Sequence, residues 1–362
     1  MRSRKGRETT REIVLEQLTD FGEDLYEAIL EERFPVVDIP SRTTRNIQYD
    51  EVTRSYVLGD KTFRRAASNI RHVKSLSQLV WNAFFAKELI RGKRTSTLRD
   101  VYYSSQAFDI PFRDQKESDE VITDLEAVVR RPREEFNIVP EERSSIFGDL
   151  TIEYTVPGYE GRRIDLTTHP DGLMVGHALR TAEFVETGAE RVFAIEKGGT
   201  FTRFIEERVH ERYKAIIINT TGQAPRSTRY LIRRLNEELG LECLILTDAD
   251  PWGMHIAMVI ISGSANAAHI GGLATPDAKW MGVWASDVTR YDLPSDPFTS
   301  EDFKRLTQLK KDIRYRGKLW QREIDKFMKL KRKSEQEAFS RYGLSYIVDK
   351  YLAEKMEEVE SY

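Results

Sequence analysis

The chain has 362 residues, with 56 Lys and Arg against 59 Asp and Glu, a formal charge of −3 and 40% hydrophobic residues. That length accommodates two or three domains with buried cores, and the balanced charge offers no global field for a polyanion, so nucleic acid would need local basic patches. A single cysteine, Cys243, excludes a disulfide framework or zinc ribbon; no apolar run reaches membrane-spanning length, and the start (Met-Arg-Ser-Arg-Lys-Gly-Arg-Glu) has no apolar signal core, so the expectation is a soluble intracellular protein.

Thr10–Arg33 carries Val14, Leu18, Phe21, Leu25 and Ile29 at helical spacing, with a cap at Thr9 or Thr10. The stripe serves either as core or as a docking face for another subunit. Ile47–Leu58 reads as strand-like pieces with a turn at Gly59-Asp60. Three helices follow: Ser75–Arg91 ended by Gly92, a second starting near Thr95–Thr97 and running through Arg99-Asp100-Val101-Tyr102-Tyr103, and Ser118–Arg131 stopped by Pro132. With the alternating strand Leu150–Tyr154 they fit a winged-helix domain, although periodicity alone supports other small helical domains nearly as well. From about Arg191 strands and helices alternate: Val192–Ile195, Ala215–Asn219, Glu242–Thr247 and Met281–Ala285 are strands, separated by helices at Thr200–Arg208, Ser227–Glu238 and Trp252–Ile261. That pattern predicts a doubly wound, largely parallel α/β sheet. The remainder from Ser300 is helical and charged. Its basic run (Lys304, Arg305, Lys310, Lys311, Arg314, Arg316, Lys318) reads as a solvated face.

Two of those strands end in acids. Val192–Gly199 (Val-Phe-Ala-Ile-Glu-Lys-Gly-Gly) closes on Glu196, and Leu244–Asp250 (Leu-Ile-Leu-Thr-Asp-Ala-Asp) closes on Asp248 and Asp250. Side by side in a parallel sheet, they would gather three carboxylates at the carboxyl edge, where open α/β sheets bind ligands. Such a cluster needs a hard cation, and Mg2+ suits the oxygen donors. The plainer alternative is a set of solvated strand-end acids or helix N-caps. Gln223-Ala-Pro-Arg226-Ser-Thr-Arg229 opens a helix whose first turn and arginines, Arg226 and Arg229, suit DNA phosphate as well as they suit solvent. The six histidines show no ligand spacing, and His255 reads as a packing residue. No phosphate-binding Gly-x-x-x-x-Gly-Lys-Ser/Thr loop occurs.

Glu196, the Asp248-x-Asp250 pair, Arg99-Asp100-Val101-Tyr102-Tyr103, Asp248-Ala-Asp250-Pro-Trp-Gly, Gly263-Ser264, Met281–Asp287 and Tyr351-Leu-Ala-Glu-Lys355 together resemble the family of the DNA-cleaving A subunits of type IIB topoisomerases, which includes the eukaryotic transesterase that opens meiotic double-strand breaks. The acids alone mark the wider Toprim fold; the Arg-Asp-x-aromatic-Tyr segment singles out this family. The resemblance covers nearly the whole chain and implies a winged-helix (CAP-like) DNA-binding domain followed by a Toprim domain. On this reading residues 1–68 are an N-terminal helix and strands that dock a partner, 69–147 the winged-helix domain with the nucleophilic tyrosine, 148–185 linking strands, and 186–362 the Toprim domain with C-terminal helices. Glu141–Phe147 departs from the smaller, glycine-bearing connection expected there.

The resemblance implies an ATP-dependent topoisomerase that relaxes supercoils and decatenates DNA, cutting both strands through a covalent 5′-phosphotyrosine. Tyr103 matches the nucleophile and Tyr102 its aromatic neighbour; Glu196, Asp248 and Asp250 match the Mg2+ ligands. A tyrosine suits reversible cleavage because the phosphotyrosine conserves the energy of the broken bond. Its phenol is only about 0.1% ionised at neutral pH, so it needs help, and Arg99, four residues earlier on a helix, is placed to clamp the phosphate or favour the phenolate. The implied partners are double-stranded DNA, a second copy of this chain whose Toprim site faces this tyrosine, and a GHKL-type ATPase B subunit that binds the ATP, in a heterotetramer. The competing readings are a recombination initiator that cuts without resealing, a Toprim nuclease or primase-like polymerase, and a non-enzymatic DNA scaffold.

Overall fold

The computed structural model describes residues 4–141 and 143–360. They form two compact units. The first takes in the chain up to Asp50, Tyr56–Glu141 and Ser264–Gly271; the second takes in Glu51–Ser55, the stretch ending at Gly263 and the chain from Gly272 onward.

The first unit is mainly helical. Helix α1 (Arg4–Leu30) begins upstream of Thr9 and Thr10, so neither is a cap: the charged residues before them are good helix formers and continue the ladder. Strands β1 (Val36–Pro40), β2 (Ile47–Asp50), β3 (Ser55–Leu58) and β4 (Thr62–Ala66) follow. β1 pairs antiparallel with β4, and β2 is hydrogen-bonded to β3. Helix α2 (Ile70–Arg91) is capped by the Asn69 side chain and ends at Gly92. Helix α3 (Leu98–Gln106) is followed by α4 (Gln115–Val129), whose cap is Asp114. Leu76, Leu79 and Ile90 of α2, Val101 of α3, and Ile122 and Leu125 of α4 form one core with Val14, Leu18 and Leu25 of α1. The N-terminal stripe is therefore core over most of its length. Ile29 departs from it: α1 outruns the surface it packs on, leaving Tyr26, Ile29 and Leu30 about 60% exposed.

The second unit begins with β5 (Ser145–Phe147), β6 (Thr151–Glu153), β7 (Arg163–Asp165), β8 (Leu173–Met174), the short helix α5 (His177–Thr181) and β9 (Glu183–Glu186). β6, at the centre of a three-stranded sheet with β7 and β9, belongs here and not beside the helices that precede it in sequence. Alternation marks a half-buried strand without naming the strand it pairs with. The Glu141–Phe147 connection likewise supplies β5, a strand of the main sheet.

That sheet is built by β10 (Arg191–Ile195), α6 (Gly198–Glu206), α7 (Val209–Arg212), β11 (Ala215–Asn219), α8 (Arg226–Leu239), β12 (Glu242–Leu246), α9 (Pro251–Ser262) and β13 (Lys279–Gly282). Its six-stranded order is β13-β12-β10-β11-β5-β8, with the four β10–β13 strands parallel and β5 and β8 antiparallel. The fold is mixed α/β. The four parallel strands are buried almost throughout, which is why they read as unbroken apolar runs instead of alternating ones. β13 starts and ends earlier than expected, because the Asp287 carboxylate accepts the Trp284 N–H at 2.8 Å and nucleates helix α10 (Ala285–Arg290) where the apolar run suggested strand. The chain closes with β14 (Asp296–Pro297), α11 (Ser300–Lys311), α12 (Lys318–Leu330), β15 (Arg332–Lys333) and α13 (Ala353–Glu360), β14 pairing with β15. No helix is long and apolar enough to cross a membrane among the described residues.

Candidate active site

The strand order places the acids. The connection from β10 leads to β11 on one side, whereas that from β12 leads to β13 on the other, so the chain reverses direction between β10 and β12. Open α/β sheets part at such a reversal and leave a crevice at the strand ends. Ile195 lies opposite Leu246 in the ladder, so Glu196 leaves β10 beside Thr247 and Asp248. The Asp248 N–H donates to Glu196 Oε2 at 3.0 Å. Two acids distant in sequence thus meet at the switch point.

Asp250 starts α9. Its carboxylate accepts the Gly253 N–H, and Pro251 occupies the first helical turn, where its missing N–H costs nothing. Gly253 is required by space: a Cβ there would overlap the Asp248 carbonyl oxygen. The Asp-Ala-Asp-Pro-Trp-Gly motif is therefore a strand end, a cap and a close backbone crossing in one. Asp250 satisfies the helix-cap alternative while staying beside the other two acids.

Burial pushes Glu196 up to about 8, reinforced by the charges of Asp248 and Asp250. Burial also lifts Asp248 to about 6, against the pull of a Gln336 N–H and of Lys197. Asp250 is raised too, again chiefly by burial. Lys197 supplies the compensating charge, with its Nζ 3.1 Å from Asp248 and 3.5 Å from Glu335. Burial opposes the ammonium charge, but Asp248 and its acidic neighbours hold it above the usual lysine range. The other Asp248 oxygen accepts the Gln336 N–H at 3.0 Å. Lys333 pairs with Asp302 at 2.8 Å and adds positive charge near Asp250.

Lys197, Gln336 and the Lys333–Asp302 pair were not expected from sequence. Lys197 adjoins Glu196 and was open to notice; Gln336 lies 88 residues from Asp248 and carries no local signal. Among the described residues no three acid, imidazole or thiol groups converge on one point. A cation here would take one or two of these carboxylates and complete its shell with water or a substrate oxygen, the habit of Mg2+. The donors are all hard oxygens, gathered at one strand edge and buried or half-buried together. The residues fit the ion.

In the first unit, Arg99, Tyr102 and Tyr103 lie on α3. Thr97 caps this helix, accepting the Asp100 N–H while the Asp100 carboxylate accepts the Thr97 N–H at 2.9 Å. Asp100 of the motif is thus a capping-box residue that fixes where the helix starts and which face the tyrosines occupy. Tyr102 packs against the core; Tyr103 is 55% exposed, its ring edge-on to that of Tyr102 at 5.2 Å. Arg99 is exposed and makes no bond to Tyr103 or to any other described group, so the expected Arg99–Tyr103 pairing is not formed. Two exposed side chains one turn apart gain too little from pairing to offset the entropy of being held together.

Of the two arginines expected to meet DNA, Arg226 is half-buried in the first turn of α8 and Arg229 is only 5% exposed, inside the unit. Burial removes Arg229 from the surface where DNA could reach it. His255 is pushed down to about 4 by burial, with Arg305 and Arg314 adding repulsion, so it is neutral. Cys243 is buried, its thiol pushed up to about 12.

Residues 191–356 match the family described as the Toprim domain of the topoisomerase 6 A subunit and Spo11, and residues 74–138 match that described as type IIB DNA topoisomerase. Across 97% of its length the chain is 44% identical to the type 2 DNA topoisomerase 6 A subunit of Methanothermobacter thermautotrophicus, covering 99% of that protein. It is 35% identical to the Archaeoglobus fulgidus protein of the same name, over 95% of this chain and 97% of the relative. It is 33% identical to that of Natronomonas pharaonis, over 99% of each. The similarity spans both units, the helical one with its exposed tyrosine and the sheet with its switch-point acids, and the chain belongs to the type IIB DNA topoisomerase A-subunit family.

Proposed function

We propose that this chain is the DNA-cleaving and religating subunit of an ATP-dependent type IIB topoisomerase, acting inside the cell as a homodimer with a GHKL-type ATPase subunit in a heterotetramer. The observation that supports it most directly is the pairing of Glu196 and Asp248, partly desolvated and hydrogen-bonded, at the switch point of a Toprim sheet. The first unit is read as the winged-helix domain, with α2, α3 and α4 as its helices.

Tyr103 is the nucleophile. Its hydroxyl attacks the phosphorus and gives its proton to water, the bond to the 3′ oxygen breaks, and that oxygen takes up a proton from water, leaving a 5′-phosphotyrosine and a free 3′ hydroxyl. Religation runs the same step backward. Arg99 is exposed and without a protein partner among the described residues, so its guanidinium is available to the scissile phosphate. Glu196 and Asp248 would hold Mg2+, with Asp250 as a further oxygen donor. The bound ion would neutralise the phosphate and stabilise the leaving oxygen. Lys197 pairs with Asp248 and offsets its charge. Arg226 is a candidate phosphate contact at the start of α8.

The ATPase subunit docks on the exposed end of α1 and the residues after it, Tyr26, Ile29, Leu30 and Phe34, each between 59% and 67% exposed. The test of the whole reading is to incubate the chain with its ATPase subunit, ATP, Mg2+ and end-labelled DNA, denature rapidly, and map the linked residue. A 5′ adduct on Tyr103 is expected. Cleavage that leaves no protein on the DNA would turn the reading to a nuclease.

A further inference from the structure

In the basic run that starts on α11, the cations without an acidic partner among the described residues are exposed, except Arg305, which is half-buried. Lys304 pairs with Glu301, Lys310 with Asp325, and Arg314 with Asp312. Arg305 has no acidic partner and no hydrogen bond among the described residues, and its Nε is buried without an acceptor. Its guanidinium carbon lies 4.0 Å over the ring centre of Trp252. Trp252 stands two residues after Asp250, in the first turn of α9, and is 39% exposed. Its indole N–H has no protein acceptor among the described residues either. α11 begins beside the acids, since Asp302, one turn before Arg305, contributes to the rise in Asp250.

Stacking on an indole fixes the plane of a guanidinium and leaves its edge, with the N–H donors, pointing away from the ring. A stacked pair built only for stability would sit with its donors paired, because leaving donors unused near a half-buried surface costs free energy. Here a fixed cation, an exposed apolar ring and two sets of unused donors adjoin the carboxylate edge, where a sequence reading saw only a solvated charged face. Their chemistry matches one ligand: a backbone phosphate on the Arg305 edge, with the neighbouring deoxyribose against the Trp252 ring.

We propose that Arg305 and Trp252 form a DNA-backbone contact beside the carboxylate site, holding the strand near the break without taking part in the chemistry. This rests on the reading that the chain cleaves DNA. The experiment measures binding of the full-length chain to a fluorescein-labelled duplex by anisotropy over a range of salt, for wild type, Arg305→Gln, Arg305→Lys and Trp252→Phe, with a thermal melt of each. Intrinsic tryptophan emission is followed on addition of unlabelled duplex. Arg305→Gln should bind roughly tenfold more weakly, with the slope of log K against log salt smaller by about one. Arg305→Lys should retain the slope while losing part of the affinity, since the charge remains and the stacked fork does not. DNA should quench wild-type emission and quench Trp252→Phe less, because Trp81, Trp280 and Trp284 are each no more than 5% exposed and Trp320 is half-buried and stacked on Trp280.

Wild type that binds DNA while Arg305→Gln keeps the same affinity and slope overturns this contact and leaves the cleavage reading standing. A lowered affinity with an unchanged slope also overturns it, as the mark of general damage. Wild type that binds no duplex overturns both.

Discussion

The tyrosine helix of the first unit and the carboxylate edge of the second solve opposite problems. On α3, Tyr103 and Arg99 stand in solvent, held only through a capped helix and the packing of Tyr102 behind them. At the sheet edge, Glu196, Asp248 and Asp250 each accept a backbone N–H, and Lys197 and Gln336 close on Asp248. On the proposed function, a nucleophile must meet a macromolecule, so it is left free and acquires its order from what binds. On the same reading, a cation site must hold like charges together before the ion arrives, so the fold supplies the order and carries the electrostatic cost. Substitutions in the two regions should therefore fail differently: the first loses chemistry at constant stability, the second changes both.

The sharpest way to break that contrast is at Tyr103. Tyr103→Phe should abolish the covalent adduct, and because the side chain is exposed and its hydroxyl makes no bond among the described residues, stability should stay within about 0.5 kcal/mol of wild type. Tyr102→Phe should retain most cleavage. Adduct formation on a denaturing gel and a urea melt read both quantities, and an adduct surviving in Tyr103→Phe moves the nucleophile elsewhere.

Glu196→Gln probes the other region, where function and stability should move in opposite directions. The folded protein holds the Glu196 proton up to about 8, whereas an unfolded glutamate releases it near 4.5. Between those values the native state binds more protons than the unfolded one, so this group's contribution to stability is present below 4.5 and is lost as pH rises through about 8. Glutamine removes the penalty. The metal-free variant should gain on the order of 2 kcal/mol at pH 8 and almost nothing at pH 4.5, while Mg2+-dependent cleavage disappears. Wild-type Mg2+ affinity should rise with pH over the same window, because the ion displaces protons; calorimetry in two buffers of different ionisation heat would count them. A variant that melts at the wild-type temperature at pH 8 would show that Glu196 is not strained.

Helix α1 divides the question within one element. Leu18→Ala should destabilise the first unit by about 2–4 kcal/mol, since Leu18 is 3% exposed in its core. Ile29→Asp with Leu30→Asp should leave the melt nearly unchanged and prevent capture of the ATPase subunit in a pull-down. Capture by that double variant would place the interface elsewhere. The smallest effect is expected at Arg226, where alanine should weaken DNA binding only a few-fold, roughly the worth of one phosphate contact, with the loss greatest at low salt.

Much of the second unit was legible before any coordinate. Its four buried strands are apolar runs of four or five residues, α8 and α9 each open at a Pro and end at a Gly, and acids stand where two of the runs stop. Local chemistry suffices for such features, because a strand buried on both faces has no freedom to be polar. The motif on α3 was legible for a related reason: Thr97 and Asp100 form a capping box three residues apart, so the start of the helix is written in the segment itself.

What the sequence by itself determined is therefore the family and the order of the parallel strands and the helices between them in the sheet unit, and it singled out the acids and the tyrosine as candidates. Tertiary structure alone decided the rest. It set Gln336 against Asp248 across 88 residues, moved β6 into a separate sheet, buried Arg229, and stacked Arg305 on Trp252. It also divided the α1 stripe into core at Leu18 and surface at Ile29. The physical reason is common to all of these. Periodicity reports which face of an element is apolar, but burial and charge compensation depend on which distant segment covers that face and how far the cover extends.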